Sequence, residues 1–281
     1  MKRATEPLAK HTWLKIGGSA EIAIPESKEE FVELLKECHS EGRAYRILGN
    51  GSNLLVSDDG INGLVIKNTE ACVDINIDGN MVQVGASVAV PQFVNICVKH
   101  NLGGYEYLYS VPGTVGGAIF MNAGRGKTHN RTISDYLVDV EVFDGEKTRI
   151  IPKSNLDFEY RYSSFHDQND WTILTAKFDL PSQPSEKGRN KVQKRMEKVT
   201  QRERKKPNAG TVFKSGNRLP LNRVPPNGLK IGDARFVHGN RICNDGDATY
   251  KDVKRLIILS KVLHRLIPGF KEPELEYEIW E

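Results

Sequence analysis

The chain has 281 residues, 38% of them hydrophobic and 27% charged, a balance that excludes fibrous and disordered classes and leaves room for two or three globular modules. No apolar run approaches the ~20 residues of a membrane span. The opening stretch MKRATEPLAKHTWLKIGG lacks the apolar centre and small-residue cleavage site of a secretory signal, so a cytoplasmic protein is expected. The formal net charge of +4 hides a local excess: residues 187–206 hold ten Lys or Arg against Glu197 and Glu203, a local +8 that leaves the remainder at −4.

Ser27 followed by Glu30 is a capping-box signature, and it opens a helix through KEEFVELLKECHSEG that stops at Gly42. YRILGNGSNLLVSDDGINGLVIKN reads as strand, Gly-rich turn, strand, Asp-Gly turn and strand. A second helix, PQFVNICVKHN, precedes Gly103-Gly104; YLVDVEVFDGEKTRIIP is a hairpin pattern around Asp144-Gly145, and WTILTAKFDL is a further strand. PSQPSEKG reads as a linker into a charged helix whose apolar stripe is Val192, Met196 and Val199. Short strands follow through Asn244. Thr249 with Asp252 then caps a helix through YKDVKRLIILSKVLHRLI, and PELEYEIW is a last strand. Helices and hairpins in separate blocks point to α+β modules rather than one parallel sheet. Cys38, Cys72, Cys97 and Cys243 form no CxxC pair, which indicates neither a zinc site nor a disulfide framework, and no metal is expected.

Two stretches carry chemistry. In LGNGSNLLVSDDG, Gly49, Asn50, Gly51, Ser52 and Asn53 make either a plain connection between two strands or a turn small enough for its N–H groups to face outward as an anion nest, for which a pyrophosphate is the usual tenant. It has neither the dinucleotide GxGxxG pattern with a following helix nor the GK[ST] of a P-loop. In SVPGTVGGAIFMNAGRG, Gly113, Gly116, Gly117, Gly124 and Gly126 stand with Pro112 and Thr114 and almost no charge. One such glycine is a turn residue; five in an apolar stretch imply a backbone passing close to something flat or bulky, and Asn122 adds an amide.

These segments, in this order, resemble the flavin-binding half of the UDP-N-acetylenolpyruvoylglucosamine reductase family, whose pattern is GSNLLV, then PGTVGGA, then MNAG; here they are Gly51–Val56, Pro112–Ala118 and Met121–Gly124. The resemblance continues through TWLKIGG, YRYSSF, AGTVFK, GDAT and EPEL and so spans nearly the whole chain. It implies an α+β vanillyl-alcohol-oxidase-type two-lobe FAD-binding fold plus a smaller C-terminal substrate-binding α+β domain. The limits would be a first lobe over 1–68 joined by a C-terminal strand at 270–281, a second over 69–205, and a substrate domain over 206–269. The chain is similar to the shorter subclass, with no long insertion between Phe178 and Lys187.

The resemblance further implies FAD, with NADPH as co-substrate, and reduction of the enolpyruvyl ether of UDP-N-acetylglucosamine enolpyruvate to UDP-N-acetylmuramate for peptidoglycan synthesis. Such chemistry needs a proton donor, partners for an enolate-like carboxylate and a water-poor flavin face. The donor maps to Thr211, where the family usually has Ser; the methyl group stiffens χ1 and leaves the hydroxyl. The carboxylate-holding Arg maps to Arg161, and the Glu to Glu274, with Glu272 on the same strand face as the other choice. Lys205, Lys206, Lys214, His238 and Asn240 are the expected substrate contacts. The stretch between the hydroxyl motif and the last helix is abbreviated, and Glu276 stands where the family has Arg. The basic run reads as a solvated helix face or as an electropositive rim for NADPH or UDP phosphates; it has no interleaved aromatics, which argues against nucleic acid. No protein partner is expected. Two other readings stay open: a divergent relative acting on a different substrate with the same flavin fold, and a flavin- or nucleotide-binding protein without turnover.

Overall fold

A computed structural model of the chain describes residues 1–125, 131–168, 170–200, 206–214, 228–237, 240–266, 268 and 272–281. Its strands are β1 (Lys2–Pro7), β2 (Ser19–Ile24), β3 (Tyr45–Leu48), β4 (Leu54–Val56), β5 (Leu64–Lys67), β6 (Ile75–Asp78), β7 (Met81–Gly85), β8 (Leu137–Phe143), β9 (Thr148–Pro152), β10 (Phe158–Glu159), β11 (Tyr162–Ser163), β12 (Thr172–Asp179), β13 (Lys230–Ile231), β14 (Ala234–Val237), β15 (Arg241–Asn244) and β16 (Glu278–Trp280). The helices are α1 (Lys28–Ser40), α2 (Val90–Lys99), α3 (Val115–Phe120), α4 (Ser185–Thr200) and α5 (Tyr250–Leu266). The chain divides into two compact units, residues 1–3, 23–49 and 66–203, and residues 4–22, 50–65 and 204–281.

In the first unit the expected helix α1 starts where the Ser27 hydroxyl accepts the N–H of Glu30 at 3.2 Å. It buries Phe31, Leu34, Leu35 and Cys38, one stripe at 3.6-residue spacing. An antiparallel sheet of order β6-β7-β12-β8-β9 forms the body of the unit. Leu174, Ala176 and Phe178 of β12 alternate into the core, while Thr175 on the opposite face donates its hydroxyl to Glu141. Phe178 meets Phe93 of α2 and Tyr105 at centroid distances of 5.3 and 5.6 Å, which seats α2 on the sheet. The β8–β9 turn forms at Asp144-Gly145 as expected: the Asp144 carboxylate accepts the N–H groups of Glu146 and Lys147, and Gly145 takes φ +96°. The β6–β7 hairpin, which turns at Gly79-Asn80, is an element that the sequence pattern did not suggest.

Two expectations change. Residues 181–188 are not a free linker: Gly103 donates its N–H to Pro181, Gln183 donates its N–H to Asn101, and α4 already begins at Ser185. Part of the basic run is structural. Lys191 of α4 pairs with the buried carboxylate of Glu106 at 3.2 Å, and Arg195 donates to Ser110 at 2.9 Å. Gly188 is buried where a Cβ would stand 2.8 Å from Val98, so α4 lies close against α2.

The second unit centres on α5 and the antiparallel sheet β13-β14-β15. The capping box of α5 is reciprocal: Asp252 donates its N–H to the Thr249 hydroxyl at 3.2 Å, and Thr249 donates its N–H to the Asp252 carboxylate at 3.0 Å. Val253, Leu256 and Ile257 pack into one apolar cluster with Val212, Phe213, Phe236 and Leu55. The last strand is shorter than expected. Only Glu278–Trp280 pairs as β16, parallel to β4, while Leu275 bridges Phe213 upstream of it.

Candidate active site

The Gly-rich turn follows β3 and leads into β4. A Cβ on Gly49 would stand 2.8 Å from the Thr114 hydroxyl, so only glycine fits. Gly51 takes φ +60° with the His11 carbonyl 2.3 Å from where a Cβ would sit, a second position closed to side chains. Its carbonyl accepts the N–H of Trp13 at 3.0 Å. The exit of the turn is fixed by Asn53, whose amide donates to the Glu276 carbonyl at 2.8 Å and whose carbonyl accepts the N–H of Glu278 at 3.0 Å. Among the described residues the N–H groups of Gly51, Ser52 and Asn53 have no acceptor, which leaves donors for an anion.

Within PGTVGGAIF, Val115–Phe120 folds as α3, which the glycines disguised. The Thr114 side chain accepts the Gly117 N–H at 3.2 Å, while Val115 and Gly116 donate theirs to Val88 and Ala86. The first N–H groups of α3 are therefore engaged within the protein. A Cβ on Gly116 would stand 2.9 Å from that of Ala86, so this glycine sets a close helix–strand approach. Helix α3 ends in a Schellman motif: Ala123 donates to Ala118 at 2.7 Å, Asn122 donates to Ile119 at 2.9 Å, and Asn122 takes φ +41°. The Asn122 side chain is 2% exposed; its Nδ2 donates to the Glu159 carbonyl at 2.8 Å, and its Oδ1 has no partner among the described residues.

Arg161 lies in the same unit, at the second position of the two-residue turn between β10 and β11. Its φ of +59° is left-handed. The guanidinium donates to the Gly124 carbonyl at 3.1 Å and lies 5.1 Å from the centroid of the Tyr160 ring. A cleft of about 460 Å³ opens beside it, lined by Arg161, Arg125, Arg131 and Lys153 with Asp135 and Glu159. The Asp135 carboxylate is engaged by the N–H and hydroxyl of Thr132, so the cations dominate and an anionic occupant is favoured. Arg125, Arg131 and Lys153 were not singled out in the sequence, where they are scattered among unrelated segments.

In the second unit, Thr211 is half-buried and follows Gly210 at φ +79°. Its segment is laced on both sides: Val212 donates to the Asn240 carbonyl at 2.8 Å, and Glu276 donates to Val212 at 2.8 Å. The Asn240 amide donates to Phe213 at 2.7 Å, so this expected substrate contact holds the Thr211 strand. The Thr211 hydroxyl has no hydrogen-bond partner among the described residues. Glu274 is 77% exposed with Lys214 at 3.5 Å, whereas Glu272 is engaged by Arg265 and Lys261. The hydrogen bond from Arg265 and then that from Lys261 hold the Glu272 carboxyl below its ordinary range. Lys206 pairs with the largely buried Asp245 at 2.6 Å. Lys205 and His238 lie outside the described residues.

Residues 19–151 match the FAD binding domain family. The chain is 36% identical to the UDP-N-acetylenolpyruvoylglucosamine reductase of Moorella thermoacetica over 98% of this chain and 92% of that relative. The chain belongs to the UDP-N-acetylenolpyruvoylglucosamine reductase family. The reductase of Bacillus subtilis is 35% identical over 90% of this chain and 86% of its own. A crystal structure of the Thermus caldophilus reductase matches with a TM-score of 0.81 and 30% identity, covering 100% of both chains. A Brevibacterium sterolicum cholesterol oxidase shares the fold alone, with a TM-score of 0.50 and 14% identity over 64% of this chain and 38% of that one. The expected fold class, a vanillyl-alcohol-oxidase-type FAD-binding fold in an α+β chain, therefore holds, and FAD is the reductase family's cofactor. The Gly-rich turn fits such a group: among the described residues Gly51, Ser52 and Asn53 offer unengaged N–H donors, and Gly49 and Gly51 are closed to side chains. Among the described residues no helix is long and apolar enough to cross a membrane, and no acidic, His or Cys group is placed to hold a metal.

Proposed function

We propose that the protein reduces the enolpyruvyl group of UDP-N-acetylglucosamine enolpyruvate to UDP-N-acetylmuramate, with NADPH as the reductant, in the cytoplasm of a bacterium. The observation that carries this reading is the 36% identity to a named reductase along 98% of the chain. FAD, when bound, supplies hydride chemistry that no side chain offers. Gly51, Ser52 and Asn53 would hold its pyrophosphate through their N–H groups.

The remaining roles belong to the protein's own side chains. Arg161 holds the substrate carboxylate by charge-assisted hydrogen bonds, and the cationic cleft around it favours that anion. Thr211 donates the proton to the α-carbon; a hydroxyl with no partner among the described residues is ready to turn toward one. Glu274 rather than Glu272 is the acidic partner that would present a proton to the enolate-like carboxylate, because two cations already engage Glu272. Lys214, beside Glu274, extends the same charged group, and Lys205 and His238 complete the substrate contacts. The division into lobes over 1–68 with 270–281, 69–205 and 206–269 is proposed on the same basis.

The test is anaerobic. The purified protein, reduced with NADPH, should be reoxidised by the enolpyruvyl nucleotide sugar in a single turnover. Reduction by NADPH without reoxidation by that compound would leave a divergent flavoenzyme with another substrate. A protein that carries no flavin at all would remove the enzyme reading altogether.

A further inference from the structure

The end of α3 with the MNAG segment that follows, and the Arg161 hairpin, are joined by a set of contacts that neither motif suggests alone. Three side-chain hydrogen bonds connect them: Asn122 Nδ2 to the Glu159 carbonyl at 2.8 Å, Ser163 Oγ to the Phe120 carbonyl at 2.6 Å, and Arg161 Nη2 to the Gly124 carbonyl at 3.1 Å. The first is at Glu159, immediately before the Tyr160-Arg161 turn, and the second at Ser163, two residues after it; both anchoring side chains are buried, Asn122 at 2% and Ser163 at 0% exposure. The third fixes the guanidinium itself.

We propose that Asn122 is a positioning residue for Arg161, with Ser163 as its counterpart on the returning strand. The backbone at Asn122 needs only a residue that tolerates a left-handed φ, for which glycine is the commonest choice. Glycine would leave Glu159 untethered. The asparagine amide therefore does something the helix end does not need: it pins the strand that leads into the turn. A left-handed arginine is held only where its surroundings over-determine it, and these anchors are the surroundings. The inference rests on the reading of Arg161 as the residue that holds the substrate carboxylate.

Asn122→Gly separates the roles, because it keeps the helix end and deletes the tether; Ser163→Ala is the second variant. The holoenzyme of each is measured for its flavin spectrum, for amide hydrogen exchange over residues 158–163, and for Kd of the enolpyruvyl nucleotide sugar on oxidised enzyme. The same Kd is measured with Arg161→Ala alone and combined with Asn122→Gly. Loss of one buried hydrogen bond predicts exchange in the hairpin faster by about tenfold and substrate binding weaker by about tenfold, with the flavin spectrum retained. In the Arg161→Ala background the Asn122→Gly change should add nothing. Weakened binding that persists in that background would overturn the proposal, as would loss of flavin or unchanged binding in Asn122→Gly. If Arg161→Ala alone leaves substrate binding and reoxidation intact, the role of Arg161 falls first, and the positioning role falls with it.

Discussion

The left-handed backbone at Arg161 makes a quantitative prediction that reverses an ordinary expectation. Replacing a residue by glycine usually destabilises a fold more than replacing it by alanine, since glycine loses more chain entropy, about 0.5–1 kcal/mol. At φ +59° the comparison changes, because a side chain with a Cβ pays roughly 1–2 kcal/mol of steric strain there. Arg161→Ala and Arg161→Gly both remove the bond to Gly124 and the contact with Tyr160, so those losses cancel between the two variants. What remains favours glycine by about 0.5–1 kcal/mol, a difference of roughly 1–4 °C in Tm for a unit of this size. Arg161→Asn should fall between them, as Asn tolerates the left-handed region. Denaturant midpoints and calorimetry on the three holoproteins give the order directly. An alanine variant as stable as the glycine variant would refute the claim that this turn holds its second residue left-handed.

Two further outcomes follow from the site and its surroundings. Thr211→Ala should leave flavin reduction by NADPH near normal and slow reoxidation by the enolpyruvyl substrate by about 10²–10⁴-fold in stopped flow, with Thr211→Ser within a few-fold of the parent; equal loss in both half-reactions would make Thr211 a packing residue. Glu106 is buried and held by Gln183, by Lys191 at 3.2 Å and by the Gly104 N–H at 3.1 Å. Burial pushes its carboxyl up, but the bonds from Gln183, its own backbone and Lys191 outweigh this and leave it below the ordinary range. A lowered folded value means the stabilisation is present above the unfolded value and fades as pH falls through the folded one. Glu106→Gln should thus cost about 1–3 kcal/mol near neutral pH, and the gap should close as pH falls through the lowered folded value, beneath the ordinary glutamate range. A gap independent of pH would contradict the assignment.

How much of this was legible in the sequence depends on how local each feature is. Helices α1 and α5 announced themselves because their caps, Ser27–Glu30 and Thr249–Asp252, lie within one turn of chain. The α3 helix did not, since Gly116 and Gly117 lower helix propensity; its formation rests on the Thr114 cap and on the burial of Val115, Ala118 and Ile119. The linker reading of 181–188 failed because Gln183 and Pro181 are anchored by partners far away in sequence, at Asn101 and Gly103. Nothing in Tyr160-Arg161 signals a left-handed turn, which is usually written with Asn or Gly; tertiary bonds to Gly124 and Asn122 impose it. Thr211 is the clearest case. Its place in an ordered series of motifs suggested a proton donor, and the structure adds a hydroxyl without a partner among the described residues.

The parallel pairing of β16 with β4 also has a consequence in time. Asn53, which closes the Gly-rich turn, is held by the backbone of Glu276, and the two are 223 residues apart. At a synthesis rate of 5–20 residues per second, the turn waits roughly 10–45 s for its partner strand to be made. Until then the turn leads into an unpaired strand, while the β8–β9 hairpin and α1, built from neighbours in sequence, have long been complete. A nascent chain would therefore meet its cofactor with the Gly-rich turn still unset until β16 has been made, so flavin capture should wait for synthesis of that strand.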